Sequence, residues 1–289
     1  MIKISRILKS YFIQKRTTRR VTAAFTAIST AFLAFLAAPV AHAAPAAPNS
    51  AVIFGDSLLA NPTIPDYITS HINPRDPRVK STLSGCATDD VARRGFAART
   101  GKPTYSYACA GASFSTGGQH ISQQINLAIA QGKLGRQTST VIILAGANDT
   151  YPHIIGQSQS VSRVVQNIEP AAVRAVNRVR AAAPNAKIKV VGYPTVAAPN
   201  GGSCVIGQLP PQVFDSRVPQ VERAMEAMGN RVAARTGAQY VSLKAESRGH
   251  DLCSRDPWLA PLVASPKPAN IPFHLTPNGM NAVVSRMAH

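Results

Sequence analysis

Charged side chains are scarce in this sequence, and acidic ones especially so. Of 289 residues only 15% are charged, and 13 aspartates and glutamates stand against 31 lysines and arginines. Aromatic residues make up 6%, whereas 45% of the residues are hydrophobic. A chain this apolar is not intrinsically disordered. After residue 43 no apolar run reaches the roughly 18 to 20 residues of a membrane-spanning helix, so the composition predicts a globular domain.

The first 43 residues have the pattern of a secretory signal. Residues 1–20 contain seven lysines and arginines and no acid, residues 21–40 are uncharged and mostly apolar, and Ala41-His42-Ala43 matches a small-residue cleavage site. An uncleaved membrane anchor is the alternative, which Pro39 and the interspersed serines and threonines disfavour. Cleavage after Ala43 would leave 246 residues and lower the net charge from +18 to +11. We therefore expect a secreted protein with one domain over residues 44–289, long enough for a sizeable core.

The sequence has four cysteines, Cys86, Cys109, Cys204 and Cys253. None lies in a C-x-x-C pair or at zinc-ligand spacing from a histidine, so no metal site is expected among them. An even number of cysteines in an exported chain predicts two disulfides, and buried free thiols are the alternative. Three pairings are possible. We favour Cys86 with Cys109 and Cys204 with Cys253, because each bond would tie a loop to a neighbouring element.

Short β-branched runs alternate with longer segments in which apolar residues recur every three or four positions. This alternation is typical of βα units on a mainly parallel sheet. The predicted strands are 50–54, 104–108, 140–144, 187–192 and 239–243, and the predicted helices are 89–99, 119–130, 161–183, 213–236 and 277–287. Three stretches rich in Pro, Gly, Ser or Asn are predicted to be loops, namely 61–85, 197–211 and 256–272. Loops at the carboxyl edge of a parallel sheet are where such folds build their sites.

Polar residues follow the predicted strands where they end. Gly55-Asp56-Ser57 comes directly after the first strand, and a glycine there permits the tight turn that would place Ser57 at the sheet edge. Gly146-Ala147-Asn148-Asp149 follows the third strand, where an asparagine amide can donate to a developing oxyanion. Gly111, after the second strand, could offer a backbone N–H. Each motif alone is also explained as a turn or a helix cap, and their common edge favours a shared site.

A serine nucleophile needs a base, and His274 is the best placed of the seven histidines. It stands just before Thr276-Pro277, the N-cap and first-turn proline of the last predicted helix. A histidine held there could accept a proton from the serine and later return it to the leaving group. His250, in a loop near Cys253, is the second candidate for the base.

The ordered set of Gly-Asp-Ser-Leu at 55–58, Gly111, Gly-x-Asn-Asp at 146–149 and His274 resembles the SGNH hydrolases, also called the GDSL esterase/lipase family. The resemblance covers essentially the whole chain after the signal. It implies a three-layer α/β/α sandwich with a mainly parallel five-stranded sheet. It also implies that Ser57 is the nucleophile, His274 the base, and Gly111 and Asn148, together with the Ser57 amide, the oxyanion hole.

The loop Gly-His-Asp-Leu-Cys at 249–253 and the cysteine spacing resemble more narrowly the secreted actinobacterial esterases of that family. In those relatives neighbouring cysteines pair, which agrees with the pairing favoured above. The same resemblance implies a secreted protein that acts outside the cell or at its envelope.

One position departs from the family pattern. The acid that usually stands three residues before the histidine is replaced by Ile271. The imidazole still needs an acceptor on its second nitrogen to set its tautomer. Some secreted relatives use a main-chain carbonyl instead, so the resemblance points first to the carbonyl of Ile271. Asp256 is the second candidate and Asp251 the third.

Other enzyme classes lack their motifs here. There is no G-x-S-x-G elbow and no H-E-x-x-H zinc signature, and residues 95–102 have the wrong spacing for a phosphate-binding loop. We therefore expect no cofactor and no metal. The predicted function is hydrolysis or transfer of the acyl group of a lipid or carbohydrate ester. A catalytically weak or inactive envelope-binding domain on the same fold is the alternative.

The positive charge gathers on two predicted helices, at Arg93, Arg94, Arg99 and Lys102 and at Arg174, Arg178 and Arg180. Such clusters could attract an anionic cell-envelope surface, and solvated helix faces are the other interpretation. Few aromatics and no nucleic-acid-binding motif argue against a nucleic-acid partner. We expect a monomer whose choice of acyl chain and alcohol depends on the three predicted loops.

Overall fold

The computed structural model describes residues 45–204, 213–261 and 271–289, which all fall within one compact unit. The predicted signal, residues 1–43, lies outside the described residues. So do residues 205–212 of the predicted loop 197–211 and residues 262–270 of the predicted loop 256–272.

Seven strands occur in the described chain: β1 (Ser50–Gly55), β2 (Thr104–Ser106), β3 (Thr138–Leu144), β4 (Lys187–Val191), β5 (Gly202–Ser203), β6 (Val213–Phe214) and β7 (Gln239–Val241). Five of them form one parallel sheet in the order β2-β1-β3-β4-β7, and β5 pairs with β6 in a small antiparallel ladder. The five predicted strands are confirmed, with ends that move by one or two residues. β1 is buried along its whole length and β3 along nearly all of it, because helices cover both faces of the sheet.

The helices are α1 (Ser57–Ala60), α2 (Ile64–Ile72), α3 (Val91–Thr100), α4 (Ile121–Ala130), α5 (Ala147–Tyr151), α6 (Val161–Ala182), α7 (Arg217–Thr236) and α8 (Pro277–Ala288), with a π-helical turn at Pro152–Gly156. On one side of the sheet α3 packs against α8, and on the other α4 contacts α6 and α6 contacts α7. The result is the three-layer α/β/α sandwich that the resemblance implied.

The order of the strands sets the position of the site. β1 is followed in the chain by β2 on one side of it and by β3 on the other. At such a change of direction the loops beyond the carboxyl ends of the two central strands diverge and leave a crevice. Ser57 follows β1 and Asn148 follows β3, so both lie at this crevice.

Two predicted segments differ from the structure. The loop expected over 61–85 contains α2, which begins where Thr63 accepts a hydrogen bond from the Asp66 N–H at 3.2 Å. The helix expected from residue 213 begins at Arg217 instead, which places Pro219 in the first turn, where its missing N–H costs no intrahelical hydrogen bond. Residues 213 and 214 extend as β6 and pair with β5.

Both predicted disulfides are present, Cys86–Cys109 and Cys204–Cys253. The first ties the segment before α3 to the start of the loop after β2, and the second ties the end of β5 to the loop after β7. None of the helices in the described ranges combines the length and apolar character needed to cross a membrane.

Candidate active site

Ser57 is the first residue of α1, just past the carboxyl end of β1. Gly55 has no room for a side chain, since a Cβ there would lie 2.8 Å from the carbonyl oxygen of Leu144 on β3. Glycine therefore lets the chain turn tightly against β3. The turn leaves Ser57 partly exposed at the sheet edge, between residues that are buried on both sides.

Gln124 of α4 holds the end of β1 in place. Its Oε1 accepts from the Gly55 N–H at 3.0 Å, and its Nε2 donates to the Gly55 carbonyl at 2.9 Å. β2 ends at Ser106, opposite Ile53, so no strand residue is there to satisfy the Gly55 N–H. Gln124 is fully buried and supplies the missing partner. The turn that carries Ser57 is thus anchored by a helix residue 69 positions further along the chain.

Asp56 links the Ser57 turn to the segment of Asn148. Its Oδ1 accepts from the Leu58 N–H at 2.9 Å, and its Oδ2 accepts from the hydroxyl of Tyr193. That hydroxyl in turn accepts from the N–H of Ala147 at 3.1 Å, at the first residue of α5. A single tyrosine beyond β4 therefore connects the loops that follow β1 and β3.

Complete burial dominates the ionisation of this pair. It raises the pKa of Asp56 to about 7, although the hydrogen bonds from Tyr193 and Leu58 act in the opposite direction. The charge of Asp149 adds a smaller increase. Burial also raises the pKa of the Tyr193 hydroxyl well above its ordinary value, so the tyrosine stays a neutral donor.

The three predicted oxyanion donors lie on adjoining segments of the crevice. Within the described residues, the main-chain N–H groups of Ser57 and Gly111 make no hydrogen bond, so both can donate to a ligand. Gly111 has a φ of 79°, which glycine adopts without strain. Asn148 donates one N–H of its side chain to the carbonyl of Ala112 at 2.8 Å. This bond holds the carboxamide beside Gly111 and leaves its second N–H for the crevice.

Asp149 organises the loop that carries Gly111. Its buried carboxylate accepts from the main-chain N–H groups of residues 114–116 at 2.7 to 3.0 Å. Three amide donors compensate the cost of burying the charge. The same loop closes on itself, because Gly118 packs so near the Gly111 carbonyl that a Cβ would lie 2.2 Å from its oxygen. Loop 111–118 is therefore held at both ends beside Asn148.

His274 lies just before α8 and is largely buried. Its Nδ1 is 2.8 Å from the carbonyl oxygen of Pro272, which can only accept, so Nδ1 carries the proton and Nε2 has a free lone pair. Burial lowers the pKa of His274, against a smaller opposite effect of the Pro272 and Ile271 backbones. Nε2 is buried and has no hydrogen-bond partner within the described residues. The lowered pKa favours the neutral imidazole, in which Nε2 is an unused acceptor.

The predicted partners of the imidazole need correction. The carbonyl of Ile271 accepts from the main-chain N–H of His274 at 3.1 Å, and the carbonyl of Pro272 takes the ring nitrogen instead. The Pro272 carbonyl lies two residues before the histidine, so a local turn is enough to bring the carbonyl and the ring together. The carboxylate of Asp256 accepts a hydrogen bond from the side-chain amide of Asn278 at 2.8 Å.

The remaining candidates have structural contacts of their own. His250 binds the carbonyl of Asp256 through Nδ1 at 2.8 Å and stacks on Trp258 with ring centroids 4.7 Å apart. Asp251 accepts from the N–H of Cys253 at 2.9 Å, beside the disulfide. These contacts order the loop after β7. In the parts of the chain that the structure describes, no three histidine, cysteine or acidic side chains come together as a metal site would require.

Asn61 ties the serine turn to the histidine loop. Its main-chain N–H donates to the Ser57 carbonyl at 2.7 Å, closing α1. Its side-chain amide donates to the carbonyl of Leu275 at 3.3 Å and to Asp89 at 2.8 Å. Because Leu275 adjoins His274, the segments of the candidate nucleophile and base are joined through one buried asparagine.

Sequence reasoning missed the three residues that hold these segments together. Tyr193 could have been found from the sequence, because it directly follows a predicted strand, as Ser57 and Asn148 nearly do. Gln124 had a weaker one: it is a polar residue within the buried stripe of α4 that contains Ile121 and Ile125. Asn61 had none, because nothing in its neighbourhood indicates a bond to a residue more than two hundred positions away.

Known proteins resemble this chain in sequence. The sequence profile of the GDSL-like lipase/acylhydrolase family matches residues 53–282, which includes Ser57, Asn148 and His274. Lipase 2 from Streptomyces coelicolor is 36% identical over 103 residues, and the matched part is 34% of each chain, so the match spans about a third of that relative.

Two solved structures have a similar fold. A phospholipase A1 from Streptomyces albidoflavus has a TM-score of 0.59 at 23% identity, covering 83% of this chain and 98% of that one. An extracellular lipase from Streptomyces rimosus has a TM-score of 0.57 at 22% identity, covering 83% of this chain and 100% of that one. With the profile match over most of its length, the chain belongs to the GDSL-like lipase/acylhydrolase family, a family of carboxylic ester hydrolases.

Proposed function

We propose that the protein is a secreted serine esterase or lipase that forms an acyl-enzyme on Ser57, with His274 as the base. The observation that carries the proposal is the geometry at His274, where Nδ1 donates to the Pro272 carbonyl and the buried Nε2 has no partner among the described residues. A general base needs that tautomer in its neutral form. Asn61 holds the histidine loop against the serine turn.

In the first half of the reaction, Ser57 Oγ attacks the ester carbonyl carbon while its proton moves to His274 Nε2. The oxyanion receives hydrogen bonds from the amides of Ser57 and Gly111 and from the Asn148 side chain. Nε2 and the serine hydroxyl are not hydrogen-bonded in the substrate-free structure, and such contacts tighten when substrate binds. Collapse of the tetrahedral intermediate expels the alcohol, which takes the proton from Nε2.

In the second half, water or another alcohol attacks the acyl-enzyme and the same proton transfers run in reverse. His274 is positively charged in both transition states, and the Pro272 carbonyl is its partner. A carbonyl carries a partial charge only, so it stabilises the imidazolium less than a carboxylate would. It still keeps the ring in the required tautomer, which is the larger part of the task.

Exposed apolar side chains favour a lipid ester over a carbohydrate ester. In the described chain nine large apolar side chains are exposed, and all lie between the carboxyl end of a strand and the start of the long helix that follows. They are Ile64, Ile68, Ile72, Leu83, Val91, Tyr151, Val213, Phe214 and Phe273. The connections that contain them start from the edge of the sheet that carries Ser57, and exposed apolar side chains near a site would suit an acyl chain.

Three findings support secretion. Both cysteine pairs are within bonding distance, as expected in an oxidising compartment. The sequence begins with the pattern of an export signal. One structural neighbour carries the description of an extracellular lipase.

The test is hydrolysis of p-nitrophenyl acyl esters of increasing chain length by the mature protein. Ser57→Ala and His274→Gln should each lower kcat by at least about a thousandfold, because the proton transfers act as one unit. His250→Gln is the matched control, since His250 also binds a carbonyl through Nδ1 at 2.8 Å and its ring stacks on Trp258. It should keep its kcat.

A second readout identifies the nucleophile itself. A fluorophosphonate should add to Ser57 in the wild type, as detected by peptide mass spectrometry, and should not add in Ser57→Ala. Activity retained by a folded Ser57→Ala variant would refute the acyl-enzyme. If the folded wild type cleaves no ester and binds envelope lipid, the alternative function holds, and the protein is a catalytically inactive envelope-binding domain.

A further inference from the structure

A cleft opens between α4 and α6, beside loop 111–118. Its volume is about 640 Å³, within the range of sites that hold small molecules. Nothing in the catalytic scheme uses this space. Its walls include Ser115 from the loop, Asn126 from α4, and Arg174 and Arg178 from α6.

The two arginines bring positive charge into the cleft. They are four residues apart and therefore project from the same face of α6. No acidic side chain is among the lining residues, and within the described ranges neither guanidinium takes part in an ion pair. Arg178 donates only through Nε, to Asn126 at 3.4 Å, so the terminal nitrogens of both side chains are available.

Two other charged residues of α6 have partners away from the cleft. Glu169 accepts from Arg231 and Arg235 of α7 at 2.6 and 2.8 Å, and so cannot neutralise the cleft. Arg180 donates to the carbonyl of Thr236 at 3.0 Å, at the end of α7. The arginine cluster that looks uniform in the sequence is therefore divided by the fold, and only two of its members face the cleft.

The cleft shares a wall with the candidate oxyanion hole. Ser115 lines the cleft, and its N–H and that of Phe114 bind the carboxylate of Asp149, the residue after Asn148. From Ala112, which holds Asn148, to Ser115 the chain spans three peptide units, at most about 11 Å. A group seated in the cleft is thus close to the catalytic crevice and contacts the loop that forms it.

We propose that the α4–α6 cleft binds a phosphate ester group, and that the group belongs to an anionic phospholipid. A planar guanidinium binds phosphate through two parallel hydrogen bonds, and two such groups on one helix face suit a single phosphodiester. The start of the ten-residue helix α4, at His120, lies at the same cleft and adds the positive end of a helix dipole.

The lining also indicates which molecule carries the phosphate. The volume is several times that of a phosphate ion, and Phe114, Ala171 and Ala175 add apolar surface beside the arginines. Both features match a lipid headgroup and its glycerol better than inorganic phosphate. The inference narrows the substrate of the proposed esterase to anionic phospholipids and rests on that function, whereas the binding site can be tested without turnover.

Binding is measured in Ser57→Ala by isothermal titration calorimetry in a buffer without phosphate. The probe is dihexanoyl-phosphatidylglycerol below its micellar concentration, and uncharged dihexanoylglycerol is the comparison. The double variant Arg174→Gln/Arg178→Gln should bind the phospholipid at least about tenfold more weakly, since charge-assisted hydrogen bonds are lost. Its affinity for dihexanoylglycerol should not change.

The control removes the same charge elsewhere. Arg163 of α6 and Arg223 of α7 are exposed and line no part of the cleft, so Arg163→Gln/Arg223→Gln should bind the phospholipid like the parent. An equal loss in both double variants would show diffuse attraction by net charge and overturn the site. So would unchanged affinity in Arg174→Gln/Arg178→Gln.

Competition with inorganic phosphate then distinguishes the two possible sources of the bound group, a phospholipid and free phosphate. If the cleft binds the lipid, inorganic phosphate should compete weakly, at millimolar concentration. If it binds inorganic phosphate with an affinity that the two arginines set, while the phospholipid does not bind, the lipid assignment is wrong. Because these experiments use an inactive variant, their failure leaves the esterase proposal intact, and loss of esterase activity leaves the binding result intact.

Discussion

Replacement of Gln124 by leucine tests whether a buried side chain completes the sheet next to Ser57. Leucine is close to glutamine in size and removes both of its hydrogen bonds to Gly55, at 3.0 and 2.9 Å. The Gly55 carbonyl keeps a second donor, the N–H of Cys109 at 3.0 Å. The Gly55 N–H keeps none and is buried, so the variant leaves one unsatisfied main-chain donor.

The expected cost follows from that difference. An orphaned buried donor costs about 1 to 3 kcal/mol, and loss of the second hydrogen bond about 1 kcal/mol more. The free energy of unfolding of Gln124→Leu should therefore fall by about 2 to 4 kcal/mol. For a domain of this size that corresponds to a decrease in Tm of about 4 to 16 °C. We also expect kcat to fall, because Gly55 precedes the Ser57 turn and its amide is no longer held.

Urea unfolding and differential scanning calorimetry measure the first effect, and ester hydrolysis at a temperature where both proteins are folded measures the second. Gln123→Leu is the matched control: the same change on the same helix removes an exposed bond to the His120 N–H, which water can replace. It should cost less than about 1 kcal/mol. If Gln124→Leu were no less stable than Gln123→Leu, the interpretation of Gln124 as a substitute strand partner would be refuted.

Three further predictions concern ionisation and the oxyanion. The value of kcat/KM should rise with pH through an apparent pKa below the ordinary 6.5 of histidine and then stay level, because burial lowers the pKa of His274 and only its neutral form accepts a proton. A midpoint above 7 would contradict this assignment. Asp56 has a pKa of about 7 in the folded protein and an ordinary value of 3.8, so the folded state binds a proton that the unfolded chain releases. Wild-type stability in urea should therefore decrease between pH 4.5 and 7.5, and Asp56→Asn should lack this part of the decrease. Asn148→Ala should stay folded by circular dichroism and lose about a hundredfold or more in kcat, and undiminished turnover would remove Asn148 from the oxyanion hole.

Local patterns in the sequence were sufficient for the five strands of the parallel sheet and for the helices α3, α4, α6, α7 and α8. A run such as Val141 to Leu144 is buried on both faces wherever a parallel sheet is covered by helices, so its composition alone indicates a strand. Thr276 and Pro277 mark the start of α8 through capping and a fixed φ, which involve only neighbouring residues. α2 was missed although Thr63 and Pro65 mark its start, because the composition of the stretch 61–85 suggests a loop.

Such local patterns did not predict contacts between distant segments. The bond between Tyr193 and Asp56 joins residues 137 positions apart, and the bonds of Gln124 to Gly55 join residues 69 apart. Whether a polar side chain on an apolar face meets a partner depends on where the other elements pack. The division of the arginines of α6 between the cleft and the end of α7 depends on packing in the same way.

By itself, then, the sequence determined the βα order, the strand ends at which polar residues gather, and the motif order around Ser57 and His274. The tertiary structure decided which atoms meet there. The carbonyl that binds the imidazole illustrates the limit: Ile271 occupies the position at which the family carries its acid, but the backbone turns so that Pro272 presents its carbonyl to Nδ1. Spacing along the chain specifies which residues are near one another, and only the folded backbone sets the direction of each hydrogen bond.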